Sequence, residues 1–322
     1  MDRDLVLVTG GNSGIGLQCA FQLAREGRRV LIASRDRKAS ARAVHAIEAE
    51  CGAGAACERG LDLGSHQAVR SFAQDIADEP VSSVVCNAGL QMNDGPHLTT
   101  DGFEITFGVN HLGHFLLVNL LLAKLAERAP ARILVIGSGV HDPDLFTGMP
   151  KAHIADLQTL GATGGPEQDA FEGRLAYVNS KLCNLWFTYE LTRRIEAAGL
   201  SSNDRPISVN AFEPGLVPGS GLGRDYPGPL RFVWENVLPL IARGISPFVA
   251  GINTAEAAGQ AMARVALDPE LEKTSSLYFP SHSKWEQAPS SKESYDEAKA
   301  AALWEASVEM TNLRPAESPL VG

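Results

Sequence analysis

Tyr177 and Lys181, four residues apart, are the most reactive pairing in the chain. They fall in an amphipathic stretch at 176–198 that reads as a helix, so both side chains leave it on one face. A free phenol titrates near 10 and is a poor base at neutral pH. An ammonium beside it favours the phenolate, and a pull of roughly 3–4 kcal/mol brings the group into the useful range. The expected chemistry is general acid/base work by Tyr177. It would give a proton to an oxygen that gains negative charge, or take one from a hydroxyl.

A second cluster lies near the start, where Thr9-Gly10-Gly11-Asn12-Ser13-Gly14-Ile15-Gly16 follows a short apolar run and leads into a helix-like segment. Gly10 permits a tight turn, Gly14 lets the backbone approach a pyrophosphate, and Gly16 lets the helix pack closely on the strand. The helix N-terminus adds free N–H groups and a partial positive charge. Gly10, Asn12, Ser13, Gly14, Ile15 and Gly16 are therefore candidate dinucleotide contacts.

These residues need a frame. Apolar runs at 5–8, 30–33, 83–86, 133–136 and 207–212 are short and rich in Val, Ile and Leu, as strands covered on both faces are. Amphipathic stretches at 14–26, 38–50, 65–78, 103–127 and 176–198 alternate with them. The alternation predicts an α/β fold: one doubly wound, Rossmann-type parallel sheet with helices on both faces, in a single catalytic domain spanning 1–322. Two segments break the rhythm, an insertion at about 139–173 and an apolar, proline-rich stretch at about 216–246 that reads as a substrate flap. A C-terminal helix is expected at 290–311, packed through Tyr295, Leu303 and Trp304.

Composition narrows the function classes. The 322 residues carry 28 Lys and Arg against 38 Asp and Glu, a net charge of −10, which argues against a grip on nucleic acid. Five scattered cysteines with no CxxC pair indicate neither a disulfide framework nor a thiolate zinc site. Nothing at the start has the pattern of a signal peptide, and the greasiest run, 115–125, is shorter than the ~20 residues of a membrane helix. The expectation is a cytoplasmic protein with no transmembrane segment. His111 and His114 lie three apart with no third ligand at recognisable spacing, so they read as packing histidines, and no metal is expected. Cys183 reads as a buried packer, and His141 as a possible substrate contact.

With Thr before it, the GxxxGxG spacing resembles the short-chain dehydrogenase/reductase family, and further marks follow in order. Asp62 and Leu63 match its adenine contact after the third strand, and Asn87, Ala88 and Gly89 its NAG motif. Asn110, Ser138, the YxxxK of Tyr177 and Lys181, and the pair Pro214 and Gly215 complete the set. The resemblance covers about residues 4 to 280. It implies that Ser138 holds the substrate oxygen beside Tyr177, that Lys181 also binds the nicotinamide ribose, and that Asn110 fixes a water relaying protons to Lys181. It also implies a homodimer or homotetramer.

The cofactor is read from the end of the second strand. Enzymes preferring NAD usually carry an acid there, whereas this chain has Ser34 and Arg35, with Arg37 and Lys38 close by. A guanidinium suits a 2′-phosphate, so NADP(H) is expected, with Asp36 as a dissonant charge. VNHLGHFLL at 109–117 and NSKLCNLWFTYEL at 179–191 resemble the retinol-dehydrogenase and protochlorophyllide-oxidoreductase branch, and the tail resembles the latter group. Two departures stand out: Leu216 where that group carries a cysteine, and Ser138 where it carries threonine. The function expected is NADPH-dependent hydride transfer to or from a carbonyl or alcohol of a bulky apolar substrate. The alternatives are light-driven protochlorophyllide reduction and, in another class, a non-catalytic NADP(H) sensor.

Overall fold

The strand interiors show why the sheet is covered on both sides. Leu5 and Leu7 enter one hydrophobic cluster while Val6 and Val8 enter another on the opposite face, and Leu31 and Ala33 part in the same way from Val30 and Ile32. The computed structural model describes residues 4–154, 157, 172–223, 227–245, 249 and 251–321. Its strands are β1 (Leu5–Thr9), β2 (Arg29–Ser34), β3 (Ala56–Gly60), β4 (Val81–Cys86), β5 (Ala131–Ile136), β6 (Ile207–Glu213) and β7 (Tyr278–Pro280). They form one parallel sheet in the order β3-β2-β1-β4-β5-β6-β7. The doubly wound α/β fold read from the sequence is the fold observed. The order reverses direction between β1 and β4, which leaves a crevice at their C-terminal ends.

Helices α1 (Gly14–Arg25) and α2 (Arg37–Cys51) supply apolar residues to one face of the sheet, and α3 (His66–Asp75) to the other. The next helix is broken in character. An initial turn, α4 (Ile105–Phe107), passes through a π-helical turn at Gly108–Leu112 into α5 (Gly113–Glu127). This continuous run, Ile105–Glu127, spans 23 residues with a mean hydropathy of 1.5 over its most apolar window, long and apolar enough to cross a membrane. That overturns the sequence expectation of too short a run. The same window is 89% buried within the fold, as the central helix of a layered α/β protein is.

Helix α6 (Gly173–Ala197) has almost no polar face, because the sheet covers one side and the C-terminal helix the other. The stretch expected as one helix at 290–311 is instead a 3-10 turn, Lys292–Tyr295, followed by a helix, Glu297–Thr311, which Asp296 caps by accepting from the Lys299 amide. Leu303 and Trp304 pack as expected, whereas Tyr295 is 49% exposed and touches the body by stacking on Tyr189 at 5.2 Å.

The expected insertion at 139–173 falls largely outside the described residues, which omit 155–156 and 158–171. The expected flap at 216–246, described apart from 224–226 and 246, is mostly helical: α7 (Gly228–Phe232), a π turn (Val233–Val237) and α8 (Leu238–Ile245) run on as one element. Trp234 pins it by donating its indole N–H to the Ser220 carbonyl at 2.9 Å, while Phe232 and Leu240 are 61% and 66% exposed. Helix α9 (Ala255–Leu267) follows and packs on α1, and the C-terminal helix is α10 (Glu297–Thr311).

The pattern missed β3 and β7. The former is an edge strand whose Cys57, Glu58 and Arg59 break the apolar run, and the latter has three residues. Trp304 stands between α6 and the rest of the core, edge-on to Phe115 at 4.9 Å with the Arg194 guanidinium 4.6 Å above it. Replacing it by alanine should cost about 3–5 kcal/mol of stability, read as a lower urea midpoint with an unchanged slope.

Candidate active site

The crevice begins at the glycine turn, whose shape is set from beneath. The Thr9 hydroxyl at the end of β1 accepts from the amides of Asn87 and Ala88, both at 2.9 Å. The Asn87 side-chain amide donates back to the Thr9 carbonyl at 2.8 Å. His114 completes the node. Its Nδ1–H donates to the Asn110 carbonyl at 3.1 Å, which leaves Nε2 to accept from the Thr9 hydroxyl at 2.9 Å. Burial holds this imidazole neutral, with its pKa pushed down to about 4. The two histidines considered as metal ligands are thus packing and bonding groups. His111 bonds the Ser307 hydroxyl at 3.0 Å and stacks on Phe107. Among the described residues no three His, Cys, Asp or Glu side chains gather into a metal-sized group.

Two glycines show that the turn suits a pyrophosphate. A Cβ on Gly16 would lie 2.4 Å from the Asn87 amide nitrogen and 2.5 Å from the Gly10 carbonyl, so any side chain there would dislodge the turn. Gly14 sits at φ +55° with open space where a Cβ would point. Ser13, at the N-cap of α1, makes no side-chain cap, whereas Asp36, Ser65, Thr254 and Asp296 cap the helices they begin. The first amides of α1 are left to an anion in the crevice.

A cavity of ≈ 1500 Å³ extends from this turn. Gly10, Asn12, Ser13, Gly14, Ile15 and Gly16 line one end with Ser34, Arg35, Asp62 and Leu63. Asn87, Ala88, Gly89, Ser138, Tyr177 and Lys181 line its middle, and Pro214 and Gly215 lie beyond. Of the catalytic and cofactor-binding residues expected from the sequence, Asn110 alone stays outside the lining. It sits in the π turn, accepting from the Leu90 amide and donating to the Leu90 carbonyl, both at 2.9 Å, and to the Ser180 hydroxyl at 3.0 Å. It therefore secures the wall on which α6 presents Tyr177.

At the second strand Asp36 lines the cavity beside Arg35. Its carboxylate accepts from the Ala39 amide at 2.9 Å as the cap of α2. Arg37 is engaged with Glu58 at 3.0 Å, and exposed Arg35 lines the cavity.

The proton-transfer pair departs from expectation. Lys181 Nζ donates to the Ile136 carbonyl at 3.1 Å and lies 5.5 Å from the Tyr177 ring centroid. Burial pushes the Tyr177 phenol up to about 12, against a smaller downward pull from the Ser138 hydroxyl. Burial also pushes the Lys181 ammonium down to about 8. The sequence reading weighed ammonium against phenol and left out desolvation, which here outweighs it. The chain by itself therefore holds Tyr177 as a proton donor.

Two supporting residues escaped that reading. Buried His141 donates from Nδ1 to the Ser138 carbonyl at 2.5 Å and accepts the Ser291 amide on Nε2 at 3.2 Å, tying the serine's backbone to the segment before α10. Glu213, the last residue of β6, presents its carboxylate to the cavity. His141 was noted as a substrate contact; its ring instead makes these two backbone bonds. Glu213 carries no local signal beyond its place before Pro214. Leu145, Phe146, Leu216, Val217, Leu230 and Trp234 give the cavity apolar lining, together with the charged Glu172 and Arg174.

The chain is similar to known proteins over most of its length. A model of the short chain dehydrogenase family matches residues 4–147. Retinol dehydrogenase 14 of Mus musculus is 34% identical over 326 residues, 97% of this chain and 87% of that protein. Retinol dehydrogenase 13 of Homo sapiens is 34% identical over 98% of this chain and 86% of its own length. The chloroplastic protochlorophyllide reductase B of Oryza sativa subsp. japonica is 32% identical over 97% of this chain and 78% of that protein. Among solved structures, the Pseudomonas aeruginosa RhlG/NADP active-site complex shares the fold, with a TM-score of 0.61 and 22% identity over 86% of this chain and 94% of that one. With identity of this order across nearly its whole length, the chain belongs to the short-chain dehydrogenase/reductase family of oxidoreductases, in the branch of the retinol dehydrogenases and protochlorophyllide reductases.

Proposed function

We propose that the protein is an NADP(H)-dependent oxidoreductase that interconverts a carbonyl and an alcohol on a bulky, apolar substrate. The observation that carries this reading is the single cavity in which an uncapped helix N-terminus and Arg35 at one end are joined to Ser138, Tyr177 and Lys181 and to apolar side chains. The nicotinamide cofactor, when bound, supplies or accepts the hydride. The glycine turn and the first amides of α1 hold its pyrophosphate, Asp62 and Leu63 border the adenine, and Arg35 faces the 2′-phosphate.

Ser138 donates to the substrate oxygen and holds it against the Tyr177 hydroxyl. In reduction Tyr177 passes its proton to that oxygen, and the high phenol pKa set by burial keeps the proton in place until charge develops there. Lys181 binds the ribose and returns a proton to Tyr177, a task favoured by an ammonium already pushed down to about 8. Asn110 acts through the Leu90 backbone and Ser180, whose hydroxyl donates to the Tyr177 carbonyl at 2.7 Å. The aliphatic and aromatic side chains from Leu145 to Trp234 offer the cavity an apolar surface that favours an apolar substrate body.

The direct test is consumption of NADPH and NADH against bulky aldehydes including retinal, ketones, quinones and protochlorophyllide, in darkness and under light. Dark turnover of a carbonyl with NADPH is the expected result. Turnover of protochlorophyllide under light alone would replace this reading with the photochemical one, and tight NADPH binding with no turnover at all would favour a sensor. Tyr177→Phe should lower kcat by about 10²–10⁴-fold while NADPH still binds, measured by fluorescence titration. Arg35→Ala should weaken NADPH about tenfold or more and leave NADH nearly unchanged; equal losses would remove the 2′-phosphate assignment.

A further inference from the structure

Glu213 is a buried carboxylate that closes β6 and faces the cavity. One of its oxygens accepts the Gly215 amide at 2.6 Å. The other accepts both the amide and the hydroxyl of Ser281, at 2.8 and 2.9 Å. Its own carbonyl accepts the Trp285 indole N–H at 3.0 Å. These bonds join the turn at Pro214 and Gly215 to the chain that leaves β7. The joint is tight: a Cβ on Gly215, at φ +80°, would stand 2.7 Å from the Ser281 hydroxyl and 2.4 Å from the Asn253 amide nitrogen. The Asn253 amide in turn donates to the Pro214 carbonyl at 3.0 Å. On its other side the Glu213 carboxyl carbon comes within 3.8 Å of where a Cβ of Gly139 would lie, next to Ser138.

We propose that Glu213 is a positioning residue of the reaction, whose carboxylate fixes the turn at Pro214 and Gly215 in the same cavity as Tyr177. Three donors hold that carboxylate in place. The charge opposes phenolate formation at Tyr177, adding to burial. It also favours a cationic ring over a neutral one in the part of the cavity it lines, so the oxidised cofactor is held better than the reduced one. The other titratable and charged groups around this space are Lys181, Glu172 and Arg174 on or before α6, His141 and Asp142 after β5, and Tyr278 and His282 at β7. Glu213 from β6 and Lys181 from α6 line the same cavity as Tyr177.

This inference rests on the nicotinamide end of the cavity lying at Gly215. The experiment compares the wild type, Glu213→Gln and Ser281→Ala in two measurements that need no substrate. The first is fluorescence titration with NADPH and competition by NADP+. The second is the onset of phenolate absorbance with pH, taken as a difference against the same protein carrying Tyr177→Phe. In Glu213→Gln, NADP+ should weaken about tenfold and NADPH distinctly less, and the phenolate of Tyr177 should appear about one pH unit lower. Ser281→Ala keeps the charge and should leave the phenolate onset in place while weakening both cofactors alike. An unchanged phenolate onset in Glu213→Gln, or equal losses of NADP+ and NADPH, would reduce Glu213 to a structural pin. Should Glu213→Gln fail to fold, Glu213→Ser, which also removes the charge, decides by the same two readouts. A wild type that binds no nicotinamide cofactor would instead strike the functional reading, and the phenolate onset would still judge Glu213.

Discussion

The structure hangs on the Thr9 hydroxyl. One oxygen at the end of β1 takes two amides from the turn after β4 and gives its proton to His114, and the Asn87 side chain returns a bond to the Thr9 backbone. The three elements so joined carry the cofactor cradle, the crevice wall and the π turn of Asn110. A buried hydroxyl with every valence satisfied is stiff, because losing any partner would leave a polar atom unpaired away from water. That stiffness lets the glycine turn keep an empty-handed helix N-terminus pointed into the cavity. It also explains why His114 is neutral: an imidazolium would have no acceptor for its second proton and would face the cost of burial.

The same economy governs the reacting pair. Tyr177 and Lys181 share a helix face, as four-residue spacing requires, yet α6 is buried almost all round and desolvation dominates both. Burial favours the neutral form of each, so phenol and amine part in proton affinity, the phenol rising to about 12 and the ammonium falling to about 8. The ammonium is then the stronger acid of the two, which favours passing a proton from Lys181 to a Tyr177 phenolate. The neighbours then tune the balance: Ser138 pulls the phenol down, and the Glu213 carboxylate pushes it up.

The C-terminal third of the chain completes a site whose chemistry lies elsewhere. Ser281 meets Glu213, Ser291 meets His141, and Trp304 backs the helix that bears Tyr177. Each contact joins residues at least 60 positions apart in sequence. The apolar element at 228–245 is tied down through Trp234 and carries Leu230 to the cavity wall, so it borders the substrate space and also presents apolar side chains to solvent.

What the sequence determined by itself is what depends on local spacing. Short continuous apolar runs, helical amphipathicity, the glycines between β1 and α1, and the YxxxK interval each follow from backbone geometry within one or two elements, and they specified the parallel fold and most of the cavity lining. Tertiary structure decided the rest. Strands β3 and β7 exist because a neighbour offers them a partner, since three residues or a charged edge carry no periodic signal. The engagement of Asp36 as a helix cap, the long burial of Ile105–Glu127 and the upward shift of Tyr177 all depend on what surrounds a group after folding. Glu213 is the plainest case: a carboxylate among apolar strand residues gains its meaning when Ser281, 68 positions away, supplies its hydrogen bonds.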